Sequence, residues 1–111
     1  MTKIGEGKDL PKQPSVEQYH KDLDHNALKF LNALEIYKDS NSEDRAHLKD
    51  IMDQSLALIR ASVSEIKTAG IYKQESKVEK DYQEYLTNDS PENLSKLEED
   101  LSTLRDYNKL S

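Results

Sequence analysis

The chain of 111 residues predicts an all-α fold, a small antiparallel bundle of three or four helices (residues 15–111) behind a flexible N-terminal tail (residues 1–14). Three observations carry this expectation. Apolar residues recur at steps of three and four over most of the chain, the period of amphipathic helices. Turn-forming residues gather in a few short clusters, and 3 Gly and 3 Pro are too few for the many turns of an all-β fold. Hydrophobic residues make up 34% and charged residues 34% of the chain, against ~25% charged in an average domain, so one small core carries a large solvated surface. The length fits one domain.

The tail is read from Gly5, Gly7, Pro11 and Pro14, with scattered charges and no period. Ser15 and Gln18 then form a capping-box pattern that opens the first helix, expected over 15–38. Val16, Tyr19, Leu23, Ala27, Phe30, Leu34 and Tyr37 fall within roughly 80° of one another at 100° per residue, which makes one core-facing stripe. Leu28 and Ile36 lie off it and are expected at the surface.

Asp39-Ser40-Asn41-Ser42 breaks the helix, because these side chains compete for backbone hydrogen bonds, and Ser40 with Glu43 offers a second capping box. A second helix is expected over 43–69. Leu48, Ile51, Met52, Leu56, Leu58, Ile59, Val63, Ile66 and Ala69 spread over roughly 160°, wide enough to contact two neighbours from a central position. Gly70 is the expected stop, since glycine takes the left-handed conformation without penalty, although a glycine inside one long helix costs only ~1 kcal/mol. Ile71, Val78, Tyr82, Tyr85 and Leu86, interrupted by Glu75, predict a thin and mostly exposed third helix over about 71–87. Ser90 as N-cap and Pro91 at the first helical position open the last helix, which runs to about Lys109 and carries Leu94, Leu97, Leu101 and Leu104 as an a/d seam.

Several function classes are disfavoured at once. No stretch approaches the ~18 consecutive apolar residues that span a bilayer. Met1 to Gly7 lack the apolar region of a secretory signal, which makes the cytoplasm the expected location, and no membrane partner is expected. With no cysteine there is neither a disulfide nor a thiolate metal site. A net charge of −6 without a Lys/Arg cluster argues against nucleic acid.

The candidate chemistry is sparse. His20 with Asp24, and Glu43 with His47, have the i, i+4 spacing of paired metal ligands, but an antiparallel hairpin separates the two pairs by roughly 25 Å. Asp39 to Glu43 alternates oxygen donors as a calcium loop does, yet Asp44 and Asp50 stand where such a loop needs Gly and a bidentate Glu. Glu98-Glu99-Asp100 points around a helix and reads as a solvated face rather than an acid–base site. No phosphate loop or nucleophile elbow is present, so neither catalytic residues, nor a cofactor, nor a metal is expected.

Two resemblances stand beside this reading. Arg45-Ala46-His47-Leu48-Lys49-Asp50 resembles the phosphorylated segment of histidine-phosphotransfer domains, which implies a phosphoryl carrier acting through His47. The apolar residue and Lys come one position earlier than in those domains, and Asp50 replaces their small residue. The Ser90-Pro91-Glu92-Asn93-Leu94 turn is similar to that of secretion-needle subunits, while the long first half of the chain departs from them, and no function is carried over.

The functional expectation is therefore a non-enzymatic protein–protein interaction module, such as an adaptor, small chaperone or assembly subunit. Its partner, another protein or a second copy, is expected on the last helix through Leu94, Leu97, Leu101 and Leu104, with Glu98 and Arg105 beside them. Two readings of that seam are open: it completes the chain's own bundle, or it is left exposed as one strand of a coiled coil.

Overall fold

The computed structural model describes residues 15–110, about nine-tenths of them helical, and the segment 1–14 read as a tail lies outside them. Four helices follow one another: α1 (Val16–Tyr37), α2 (Ser42–Ile66), α3 (Ala69–Thr87) and α4 (Pro91–Leu110). Cross-helix pairs fix their directions. Asp24 and His20 of early α1 meet Arg105 and Asn108 of late α4, while Arg60, Asp53 and Arg45 of α2 meet Glu79, Tyr82 and Asp89 in reverse order. The result is an up-down-up-down four-helix bundle in which each helix has two neighbours. α1 packs closely on α2 and α3 on α4, and the α2–α3 approach is the loosest. No helix is central, so the wide apolar arc of α2 does not mark a special position.

The caps explain where three of the helices begin. Ser15 Oγ accepts from Gln18 N, but the Gln18 side chain turns to Asp22, so only half of the capping box forms. α2 is capped by Asn41, whose Oδ1 accepts from Asp44 N at 2.8 Å. Ser40 instead donates to the Ile36 carbonyl at 2.7 Å and closes the end of α1. Ser90 Oγ accepts from Asn93 N, as its place before Pro91 requires.

The α2–α3 turn corrects the expectation at Gly70. α2 ends at Ile66, Lys67 takes the left-handed conformation (φ 61°, ψ 36°), and Gly70 lies within the first turn of α3 with ordinary right-handed backbone. The core sets this position. Ile66 and Ile71 are both buried, so the reversal must fall between them, one turn earlier than the glycine suggests.

The core runs the length of the bundle. Leu23, Phe30 and Leu34 of α1 bury with Met52, Ile59 and Val63 of α2, Val78, Tyr82 and Tyr85 of α3, and Leu97, Leu101 and Leu104 of α4. At its middle the Phe30 and Tyr82 rings meet edge to face across the bundle, centroids 5.0 Å apart. Leu28 and Ile36 are exposed as expected, but so are Val16 and Leu58, which lie on the predicted apolar stripes. α3 departs most from its expected exposure. Gln74, Glu75 and Asp81 are buried beside Ile71, Val78, Tyr82 and Tyr85, and together they make a core face of ordinary width. Read by hydropathy alone, half of that face is invisible.

Two stability tests follow. Phe30→Ala removes a fully buried ring together with its contact to Tyr82 and is expected to cost ~3–5 kcal/mol, seen as a large fall in urea midpoint; an unchanged midpoint contradicts the packing. Lys67→Gly relieves a left-handed non-glycine residue, and a Cβ at Gly70 meets nothing within 4 Å. Each of Lys67→Gly and Gly70→Ala should therefore stabilise by about 0.5–1 kcal/mol, read as a rise in Tm of a few degrees, whereas a loss of stability in Gly70→Ala places the turn wrongly.

Candidate functional site

Leu97, Leu101 and Leu104 are fully buried and Leu94 is half-buried against the core. This corrects the expectation of an exposed leucine seam: the last helix completes its own bundle. The seam is narrow because its neighbours supply the rest of that core layer, and polar side chains seal its edges. Arg105 Nε donates to Asp24 Oδ1 on α1 at 2.8 Å, and Asn108 donates to the His20 carbonyl while its own Oδ1 accepts from the His20 ring. Glu98 is half-buried on α4. The His20–Asp24 pair is thus spent on α4, and among the described residues no three His, Cys, Asp or Glu side chains converge as metal ligands.

His47 is exposed on α2. Glu43, Asp44 and Asp50 lie three or four residues from it on the same helix, so the surface around it is acidic. Arg45 does structural work: it donates to the Tyr37 and Lys38 carbonyls at the end of α1, pairs with Asp89 at 3.0 Å, and lies over the Tyr37 ring at 4.6 Å. It supplies the cation that the last turn of α1 lacks.

A concavity lies elsewhere, beside the turn that joins late α2 to early α3. A groove of about 750 Å³ opens there, with Ala57, Ala61, Val63, Ala69 and Tyr72 as apolar lining and Arg60 and Lys67 as cations. A second hollow of about 770 Å³ flanks α2 on the α1 side and shares Ala61. The ridge between them carries Ala57, Leu58, Ala61 and Ser64, with Leu58 51% and Tyr72 63% exposed. Loose α2–α3 packing and small α2 side chains create this surface. The signal in the sequence was the alanine–alanine–serine spacing of four and three at 57, 61 and 64, hidden because alanine carries little weight in an apolar stripe.

One wall of the groove is Glu75, only 2% exposed. Burial, and a hydrogen bond shared with the Glu79 carboxylate, push its carboxyl up to about 8, while one oxygen has no partner. Glu79 is held ionised by Arg60, which binds it with two hydrogen bonds of 2.9 Å. A similar pair joins α3 to α4: burial and Asp100 raise Asp81 to about 6, with Lys96 3.4 Å away. Both groups are neutral acids in the acidic range and charged, buried liabilities in the alkaline range.

No protein-family model, curated protein or solved structure matches this four-helix bundle.

The carboxyl pairs predict a pH dependence with a definite sign. A carboxyl raised in the folded state adds stability below its unfolded pKa, and that stability is lost as pH rises toward the folded value. For Glu75 the window is about 4.5 to 8, so urea midpoints should fall between pH 5 and pH 8. Glu75→Gln keeps the hydrogen bond and removes the ionisation, and should flatten the profile and raise stability at pH 8; a profile as steep as wild type contradicts the assignment.

Proposed function

We propose that the protein is a non-enzymatic interaction module that binds a protein partner at the end of the bundle where α2 meets α3. The observation that carries this reading is the apolar groove there, lined by exposed Tyr72, with exposed Leu58 on the neighbouring face of α2. Small side chains at 57 and 61 allow close approach of a partner's backbone, and large rim residues provide anchors, the arrangement by which an amphipathic helix or helix end is received. The leucine seam of α4 is not offered as the surface, since its leucines are consumed in the core. Contiguous exposed apolar area of this kind is characteristic of interaction surfaces.

Phosphoryl transfer through His47 is the second reading, supported by the exposure of the ring. Glu43, Asp44 and Asp50 around it oppose an incoming phosphoryl group, and the groove reading is preferred for that reason.

The test is a comparison of baits. Wild type and Ala61→Arg, which fills the groove from an exposed position, should give the same circular dichroism and melting curve. Proteins retained by wild type and lost on Ala61→Arg, identified by mass spectrometry, support the reading. Retention that is identical for both baits rejects it, and acid-labile phosphate lost in His47→Ala would establish the second reading instead.

A further inference from the structure

On the flank of α3 that faces α2, two carboxyl groups meet one cation. Arg60 binds Glu79 through both Nε and Nη2, each at 2.9 Å, so its fork is occupied. Glu75, one turn earlier, is left with the Glu79 carboxylate as its hydrogen-bond partner, and its Oε2 is buried without one. Two touching carboxyl groups do not both keep a negative charge in such a place, and a buried carboxyl without a cation of its own is stable when it holds a proton to donate. The closed arrangement therefore contains one proton between Glu75 and Glu79. Lys67 lines the same groove from the α2–α3 turn, while Asp100 and Lys96 of α4 act on Asp81, on the other flank of α3. Glu75 also borders open space. It lines the groove and, with Arg60, Tyr72, Ser76 and Glu79, a smaller hollow of about 300 Å³. From such a wall a glutamate reaches solvent by turning its own side-chain torsions, with the helix in place.

We propose that one proton on Glu75 sets the polarity of the α2–α3 groove. With the proton, the carboxyl stays in the seam between the helices and that wall of the groove is uncharged. Without it, the carboxylate turns out into the groove, toward water and Lys67. The step is a proton exchange with solvent, and no other bond forms or breaks. Burial and the Glu79 carboxylate place it near pH 8, on the alkaline side of neutrality. Arg60 stays on Glu79 in both states, because that pair is already complete. The device belongs to the groove itself and holds whatever the groove receives.

Carbon-13 NMR of the Glu75 carboxyl and of the alanine methyl groups, recorded on the full chain across a pH titration, tests this directly. Ala57, Ala61 and Ala69 line the groove, and Ala27 and Ala33, buried on α1, serve as controls. The Glu75 carboxyl should titrate with a midpoint near 8, and the three groove methyls should shift with the same midpoint while Ala27 and Ala33 stay still. Contacts from the Glu75 side-chain protons to the groove methyls should strengthen on the alkaline side. Glu75→Gln should hold all five methyls constant over the same range. A Glu75 midpoint in the ordinary range around 4.5 overturns the proposal, as does titration near 8 that leaves the groove methyls unmoved. Movement of Ala27 and Ala33 together with the groove methyls overturns it as well, because the buried charge is then relieved by unfolding rather than by one side chain. None of these outcomes decides whether a protein partner binds, so this proposal and the interaction-module reading fail separately.

Discussion

Tyr82 stands where three helices depend on one side chain. Its ring meets Phe30 edge to face, which ties α3 to the helix diagonally opposite, and its hydroxyl donates to Asp53 of α2 at 2.7 Å. Asp53 is in turn held by Lys49, so the hydroxyl is neither unsatisfied nor mobile. With that ring in place, α3 is drawn into the bundle even though much of its inner face is polar. Burial of Gln74 and Asp81 against α4, and of Glu75 beside α2, follows from its position. Gln74 donates to the Asp100 carbonyl at 2.9 Å, while Glu75 and Asp81 each keep one oxygen without a partner. The core thus accepts two costly carboxyl groups as the condition of closing a fourth wall with so few apolar residues.

That compromise also explains the shape of the surface. The turn of α3 that carries Glu75 cannot be drawn as tightly onto α2 as a leucine stripe could be. The sparse packing of α3 on α2 leaves the groove, and the small side chains of late α2 deepen it. Stability, pH response and the proposed contact surface therefore share one origin, the polar inner face of α3.

Much of the fold was legible in the sequence. The stripe from Leu23 through Leu34, the caps at Ser15 and Ser90, and the exposure of Leu28 and Ile36 all follow from period and local chemistry, because in those places hydropathy and burial coincide. Legibility failed where they part. Glu75 reads as an interruption of α3 when it and Asp81 are members of its core face. Gly70 read as a stop, yet the stop is set by two isoleucines that must both reach the core, and a lysine accepts the left-handed conformation instead. The leucine seam left two readings open, because a strip flanked by charges looks the same in sequence whether the neighbour is intramolecular or not. Arg105 and Asn108 are the residues that decide it, and their partners Asp24 and His20 lie more than eighty positions away. The groove left only a faint mark in the sequence, the small residues Ala57, Ala61 and Ser64, because it is defined by a gap between helices rather than by residues of marked chemistry.

The central claim is that α3 is a full member of the bundle, anchored at Tyr82, and not a thin helix lying on its surface. Residue-resolved amide hydrogen exchange at acidic pH, where Glu75 and Asp81 are neutral, tests it most directly. The amides around Val78 and Tyr82 should exchange as slowly as those around Phe30 and Ile59, all limited by global unfolding. Exchange in α3 that is orders of magnitude faster than in α1 and α2 would contradict it.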